Sequence, residues 1–160
     1  MVNIHITTFV QAPVQRVYDL ARNLSVLKSS LRDTPAEVNS GAGGQLFSAG
    51  DTLTFQSRNL GKTRTITARI TEMDGKSVFT EEQVKGDLKS FRHAHHFKET
   101  DNGTIMIDMI ECEGPRDFIG SLAGEGALRK FIERIAGKRI AQIRQYAESE
   151  KWRAVLIAER

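Results

Sequence analysis

The chain is expected to adopt an α+β fold, with a curved antiparallel sheet of about six or seven strands wrapped around one long C-terminal helix. Two short helices should follow the first strand. Three observations support this. From Ala36 to Glu113 apolar side chains recur with a period of two. After Gly114-Pro115 the period becomes helical. A short helical pattern also separates the opening strand from the long alternating run. Neither a one-sided sheet nor a one-striped helix can bury its apolar face alone, so each is expected to cover the other.

Residues 3–10, NIHITTFV, are rich in β-branched side chains and form the opening strand. Pro13 then starts a helix to Arg22, with Val14, Val17, Tyr18 and Ala21 on one face. A second short helix covers Leu24 to Leu31, before Pro35. AEVNS is a brief strand, GAGGQ a turn, and DTLTFQSR alternates Leu53 and Phe55 with polar residues. KTRTITARITEM is a long strand, and Asp74-Gly75 turns it into KSVFTEEQV. Two further strands, KSFRHAHHFKE and GTIMIDMIECE, meet at Asn102-Gly103, whose residues both accept positive φ. A meander of neighbours is the simplest pairing.

From about Asp117 a stripe of Leu128, Phe131, Ile132, Ile135, Ile140, Ile143, Tyr146 and Ala147 marks one long helix. Gly120, Gly124 and Gly126 loosen its start, and Gly137 marks either close packing or a bend. The tail KWRAVLIAER either continues the helix or packs Trp152 back on the body. A strongly curved sheet gripping one helix leaves unfilled space between them, a natural ligand cavity.

The chain has 160 residues, 39% hydrophobic and 27% charged, which fits one folded domain over residues 1–160 and excludes a disordered chain. A single cysteine, Cys112, cannot form an internal disulfide. MVNIHITTFV lacks the marks of a signal peptide, and no apolar run is long enough to span a bilayer. A cytoplasmic location without membrane insertion is expected. Ten lysines and arginines face six acidic residues from Pro115 onward, against 13 and 14 before it, so the basic excess sits on the last helix. Arg129, Lys130, Arg134, Lys138, Arg139, Arg144 and Lys151 read as its solvated face. Without interleaved aromatics to stack bases, no nucleic-acid partner is expected.

In SFRHAHHF the alternation puts Phe91, His93, His95 and Phe97 on one face. A two-residue turn at Asn102-Gly103 would set Phe97 opposite Asp108, His95 opposite Ile110 and His93 opposite Cys112. Asp108 then lies diagonally from His95, about 7 to 8 Å between backbones. One reading is a buried polar patch in which Asp108 holds both imidazoles. A second makes His93, His95 and Asp108 the polar anchor of an apolar pocket. A third makes them a catalytic acid/base set. A metal held by both histidines with Cys112 or Asp108 is weighed and set aside, because no second spaced ligand pair accompanies them. GxxxxGK[ST], HExxH and GxSxG are all missing, so no cofactor or metal is expected. Cys112 reads as a small apolar filler.

The order of elements, APVQRVYDLARNL, GDTLTF, and VKGDLKSFRHAHHF followed by GTIMIDMIECEGP resemble the START/Bet v 1-like (SRPBCC) superfamily, in particular its bacterial polyketide-cyclase-like members. GPRDFIG departs from the GPLGxLG-like pattern of that family. The resemblance implies a helix-grip fold around a deep apolar cavity for lipids, polyketides or quinone-like molecules, and, in a minority of members, cyclase, dehydratase or hydrolase activity. A binding or carrier protein is therefore expected. Its wall candidates are Tyr18, Leu53, Phe55, Phe91, Phe97, Met106, Ile110, Leu128, Phe131 and Ile135, with His93, His95 and Asp108 orienting the guest. The alternatives are a cyclase or dehydratase using His93 or His95 with Asp108, and an interaction module that forms a homodimer through an exposed strand or helix end.

Overall fold

Each predicted element forms in the computed structural model, which describes residues 1–41, 44–59, 62–115 and 122–157. The strands are β1 (Val2–Val10), β2 (Ala36–Ser40), β3 (Thr52–Asn59), β4 (Lys62–Met73), β5 (Val78–Gly86), β6 (Ser90–Thr100) and β7 (Gly103–Glu113). The helices are α1 (Val14–Ala21), α2 (Leu24–Ser30), α3 (Leu122–Ala147) and α4 (Trp152–Leu156). All seven strands join one antiparallel sheet in the order β1-β7-β6-β5-β4-β3-β2. The meander is as predicted, with β1 returning to cover the outer edge of β7.

Local chemistry sets the boundaries. Pro13, at φ −60° and ψ 144°, leads into α1, and Asn23 caps α2 by accepting from the Val26 N–H at 3.1 Å. Asp74-Gly75 turns as expected, with Gly75 at φ 101°. Register shifts between Thr67 and Ala68 and between Ile70 and Met73 place bulges along β4 and β5, and bulges bend a sheet. The sheet curls into a half-barrel around α3.

The hairpin between β6 and β7 departs from its predicted register. Thr100 pairs with Gly103, so the turn residues are Asp101 and Asn102, one position earlier than expected. His95 therefore lies directly opposite Asp108, His93 opposite Ile110 and Phe97 opposite Met106. The partners shift by two residues, an even number, so every side chain keeps its predicted face. Gly103 stands inside the ladder, where a Cβ would lie 2.4 Å from the Val10 carbonyl oxygen. Close approach of β1 at this point, rather than a left-handed turn, is what requires glycine.

Two apolar clusters share the concave side. One gathers Val10, Tyr18, Leu20, Phe47, Leu53, Ile70, Phe79, Phe97, Met106 and Ile143 beneath α1, α2 and the C-terminal half of α3. The other gathers Val2, Ile4, Leu88, Ile110, Cys112, Leu128 and Ala136 beneath its N-terminal half. The tail packs back on the body. Trp152 lies under the Arg16 guanidinium at 4.2 Å, Arg16 donates to the Ala147 carbonyl at 3.1 Å, and Leu156 is buried. α3 runs unbroken through Gly124, Gly126 and Gly137. A Cβ on Gly137 would meet nothing within 4 Å, so that glycine marks neither close packing nor a break. Residues 117–121, where the helix was expected to begin, lie outside the described residues, as do Gly120 and most of GPRDFIG, residues 42 and 43 of the GAGGQ turn, and the tail beyond 157.

These two glycines make opposite predictions. Gly103→Ala forces β1 away from β7 and should destabilise the fold by about 1–3 kcal/mol, the usual range for overpacking. Gly137→Ala should stabilise it by up to about 1 kcal/mol. Chemical denaturation of both variants checks the pair.

Candidate functional site

Alternation on three neighbouring strands places Glu81 of β5, His93 and His95 of β6 and Asp108 of β7 together on the concave face. Glu81 pairs across the ladder with His93, and Asp108 with His95. From above, α3 lowers Arg139 onto the same cluster. Its Nη2 and Nη1 donate to the Glu81 carboxylate at 2.7 and 3.1 Å, and Nη2 also donates to the Ala21 carbonyl at 3.2 Å. Glu81 is 1% exposed and Arg139 5%, so this is an ion pair held inside the protein, bidentate and desolvated. Arg139 was expected on the solvated basic face and is instead a core residue.

The imidazoles stack on one another with ring centroids 3.8 Å apart, and His95 stacks on Phe79 at 4.3 Å. His93 Nε2 donates to Asp108 Oδ1 at 2.8 Å. His95 Nδ1 lies 2.9 Å from the same oxygen and its Nε2 3.4 Å from Glu81 Oε1. Neither N–H of His95 is in line for a hydrogen bond, so its attraction to the two carboxylates is ionic.

This geometry sorts the charges. Burial works against an ionised Glu81, but Arg139 and His95 outweigh it and hold the carboxyl well below its usual range. Asp108 is likewise buried, and its two histidines keep it ionised. Burial and then Arg139 press the His95 pKa down, but Asp108 and Glu81 on its two sides raise it above the ordinary value. Burial, together with the charged His95 alongside, lowers His93 to about 4 despite Asp108. The cluster thus sets two ionised carboxylates against Arg139 and against a His95 whose charged form they favour, beside a neutral His93. Cys112 lies apart, and burial lifts its thiol to about 11, in keeping with an inert filler.

Beside the cluster, between the sheet and the N-terminal half of α3, lies a cavity of about 90 Å³. Phe55, Arg64 and Ile66 form one wall and Phe91, Leu88 and Ile110 another; Glu81 and His93 lie on the floor, and Leu128, Phe131, Ile132, Ile135 and Arg139 form the roof. Ligand pockets commonly enclose about 300–1,000 Å³, so in place of the deep chamber expected from the sequence resemblance there is room for roughly one ring.

Seven of the predicted site residues line this space: Phe55, Phe91, His93, Ile110, Leu128, Phe131 and Ile135. Tyr18, Leu53, Phe97 and Met106 do not. They fill the other half of the concavity, where Tyr18 meets Phe79 and Phe97 edge-on at 5.8 and 5.2 Å. His95 and Asp108 stand behind His93, away from the cavity. Sequence reasoning missed Glu81, Arg139 and Arg64. Glu81 shares the parity of Phe79 on β5, and Arg139 falls four residues after Ile135 and four before Ile143, within the apolar stripe. Both signals were present.

Ligand atoms of Glu81, His93 and His95 lie within 4.8 Å of one another, as a metal site would require. Arg139 already engages both oxygens of Glu81, and a divalent ion there would sit beside a guanidinium. The donor set fits an internal ion cluster better than a metal centre.

Among solved structures, the protein TTHA0849 of Thermus thermophilus is similar over 92% of this chain and 100% of its own, with a TM-score of 0.73 and 19% identity. Protein CV1439 of Chromobacterium violaceum is similar over 92% and 97%, with a TM-score of 0.66 and 13% identity. A major latex-like protein of Panax ginseng is similar over 88% and 95%, with a TM-score of 0.60 and 12% identity. No family model matches the chain, and no curated protein does. The fold is the helix-grip, Bet v 1-like fold. Among the described residues, no helix is long and apolar enough to cross a membrane.

The charge assignment predicts how stability varies with pH. His93 is depressed in the folded state, so its contribution is complete above the unfolded value of about 6.5 and is lost as pH falls toward 4. His95 is raised, so its contribution is complete below about 6.5 and is lost as pH rises. Glu81 and Asp108 are depressed, and their contribution is lost on further acidification through the carboxylate range. Thermal unfolding should show a maximum near pH 6.5, and His93→Gln should remove much of the fall between 6.5 and 4, at most about 3 kcal/mol. An acid limb unchanged in that variant would contradict the assignment.

Proposed function

We propose that this protein binds or carries a hydrophobic small molecule, of lipid, polyketide or quinone-like character, in the cavity between the sheet and α3. One observation carries the reading: an apolar chamber at the helix–sheet interface with a small polar group, His93 and Glu81, on its floor. The similar folds support it, since they place the same helix against the same kind of sheet. The guest inserts a ring or short branch between Phe55, Phe91, Phe131 and Ile135, and His93 orients it.

A cyclase or dehydratase reading is favoured by one feature: Asp108 holds by hydrogen bond an imidazole, His93, that lines the cavity. A general base works best with a pKa near the operating pH, and His93, held at about 4, is a weak base at neutrality. The same ring is a good hydrogen-bond acceptor. Binding is therefore the stronger reading, and His93, rather than His95, is the residue that would touch a substrate.

Ile135→Trp fills the chamber from a half-buried position on the roof. Native mass spectrometry of protein freshly purified from cells should show a retained apolar guest in the wild type and at least a tenfold loss in the variant at unchanged circular dichroism. A guest retained equally by both would place binding elsewhere.

A further inference from the structure

The cavity floor presents acceptors. His93 gives its Nε2 proton to Asp108 at 2.8 Å, and an ionised carboxylate has no proton to return, so Nδ1 carries a lone pair. Among the described residues this Nδ1 makes no hydrogen bond. It lies 4.0 Å from Oε2 of Glu81, which accepts from Arg139 Nη1 and retains a further lone pair. Both residues line the cavity, whereas Asp108 and His95 lie behind. Two acceptors 4.0 Å apart cannot satisfy each other; Oε2 already accepts from Arg139, and Nδ1 is left to take a donor brought from the cavity. Of the cations nearby, Arg139 gives its terminal N–H groups to Glu81 and Ala21 and keeps only its Nε–H without a partner among the described residues, a donor that a hydroxyl oxygen can also accept from, and Arg64 on the wall is itself partnered.

Resting on the binding role proposed above, we infer that the guest is a neutral molecule that sets an alcohol or phenol hydroxyl on the cavity floor, donating to His93 Nδ1 or Glu81 Oε2. A carboxylate would meet the charge of Glu81, and an ether or ester of the same shape has no proton to give. The hydroxyl fixes the end of the guest that enters first, and the aromatic walls receive the ring that bears it. His93 acts as a specificity residue for hydroxylated guests, with Asp108 positioning it through the tautomer.

The test is titration of isotopically labelled protein with phenol, anisole and benzoate, followed by NMR. Phenol should bind about tenfold tighter than anisole, as one net hydrogen bond to a buried acceptor implies, and benzoate more weakly than either. Phenol, and not anisole, should also shift the Nδ1 resonance of His93, a readout that requires no variant. In His93→Leu the preference for phenol should vanish while anisole binding persists. Anisole or benzoate binding as tightly as phenol, or phenol binding that leaves Nδ1 unmoved, overturns the inference while leaving the cavity-binding role intact. Failure of all three to shift residues lining the cavity overturns that role as well.

Discussion

The bidentate contact between Glu81 and Arg139 joins the two layers of the fold at a charged point on α3 between residues of the two apolar clusters. Burying either charge singly would cost several kcal/mol, and the pair is tolerated because two parallel hydrogen bonds join it and Ala21 takes a further guanidinium proton, leaving Nε as the one buried Arg139 nitrogen without a partner among the described residues. Arg139 reaches Glu81 and the Ala21 carbonyl together, so α3 is pinned to the middle of the sheet and to the end of α1 by one side chain. Towards its C-terminus the helix settles onto Tyr18, Phe79, Phe97 and Met106, and the concavity is filled. Beneath its N-terminal half the cavity remains.

The histidines complete this electrostatic arrangement. With Arg139 committed to Glu81, His95 lies between the two carboxylates, which favour its charged form. Burial and the His95 ring stacked 3.8 Å away disfavour a charge on His93, so that ring stays neutral where it lines the cavity. Adjacent residues of one strand face thus divide the work, one securing the interior and the other facing the cavity. That division favours recognition over proton transfer, because the ring in reach of a guest is the one whose basicity has been suppressed.

Much of this was legible in the sequence. β2, β4 and β7 match the segments AEVNS, KTRTITARITEM and GTIMIDMIECE because alternation and turn residues agree at both ends of each. The juxtaposition of His93, His95 and Asp108 survived an error in hairpin register, since a slip of two residues preserves the face while a slip of one would have destroyed it. The register itself was not legible: Asn102-Gly103 looks like a turn, and only the packing of β1 against Gly103 reveals why the glycine belongs to the ladder. Arg139 was hidden by its charge, which suggested solvent even though its spacing from Ile135 and Ile143 placed it inward. Tyr18, Leu53, Phe97 and Met106 were correctly apolar and inward-facing, but periodicity cannot tell a cavity wall from a filled core; that depends on how high the helix stands above each part of the sheet.

A double-mutant cycle measures the central contact directly. Glu81→Gln and Arg139→Met are each expected to destabilise the fold by about 3–5 kcal/mol, since each leaves a buried charge without its partner. Together they should cost less than their sum by at least about 2 kcal/mol, the coupling of a shared buried pair. Additive losses in denaturant unfolding would mean that the helix is held by packing alone, and that the ion pair neither positions α3 nor keeps the cavity open.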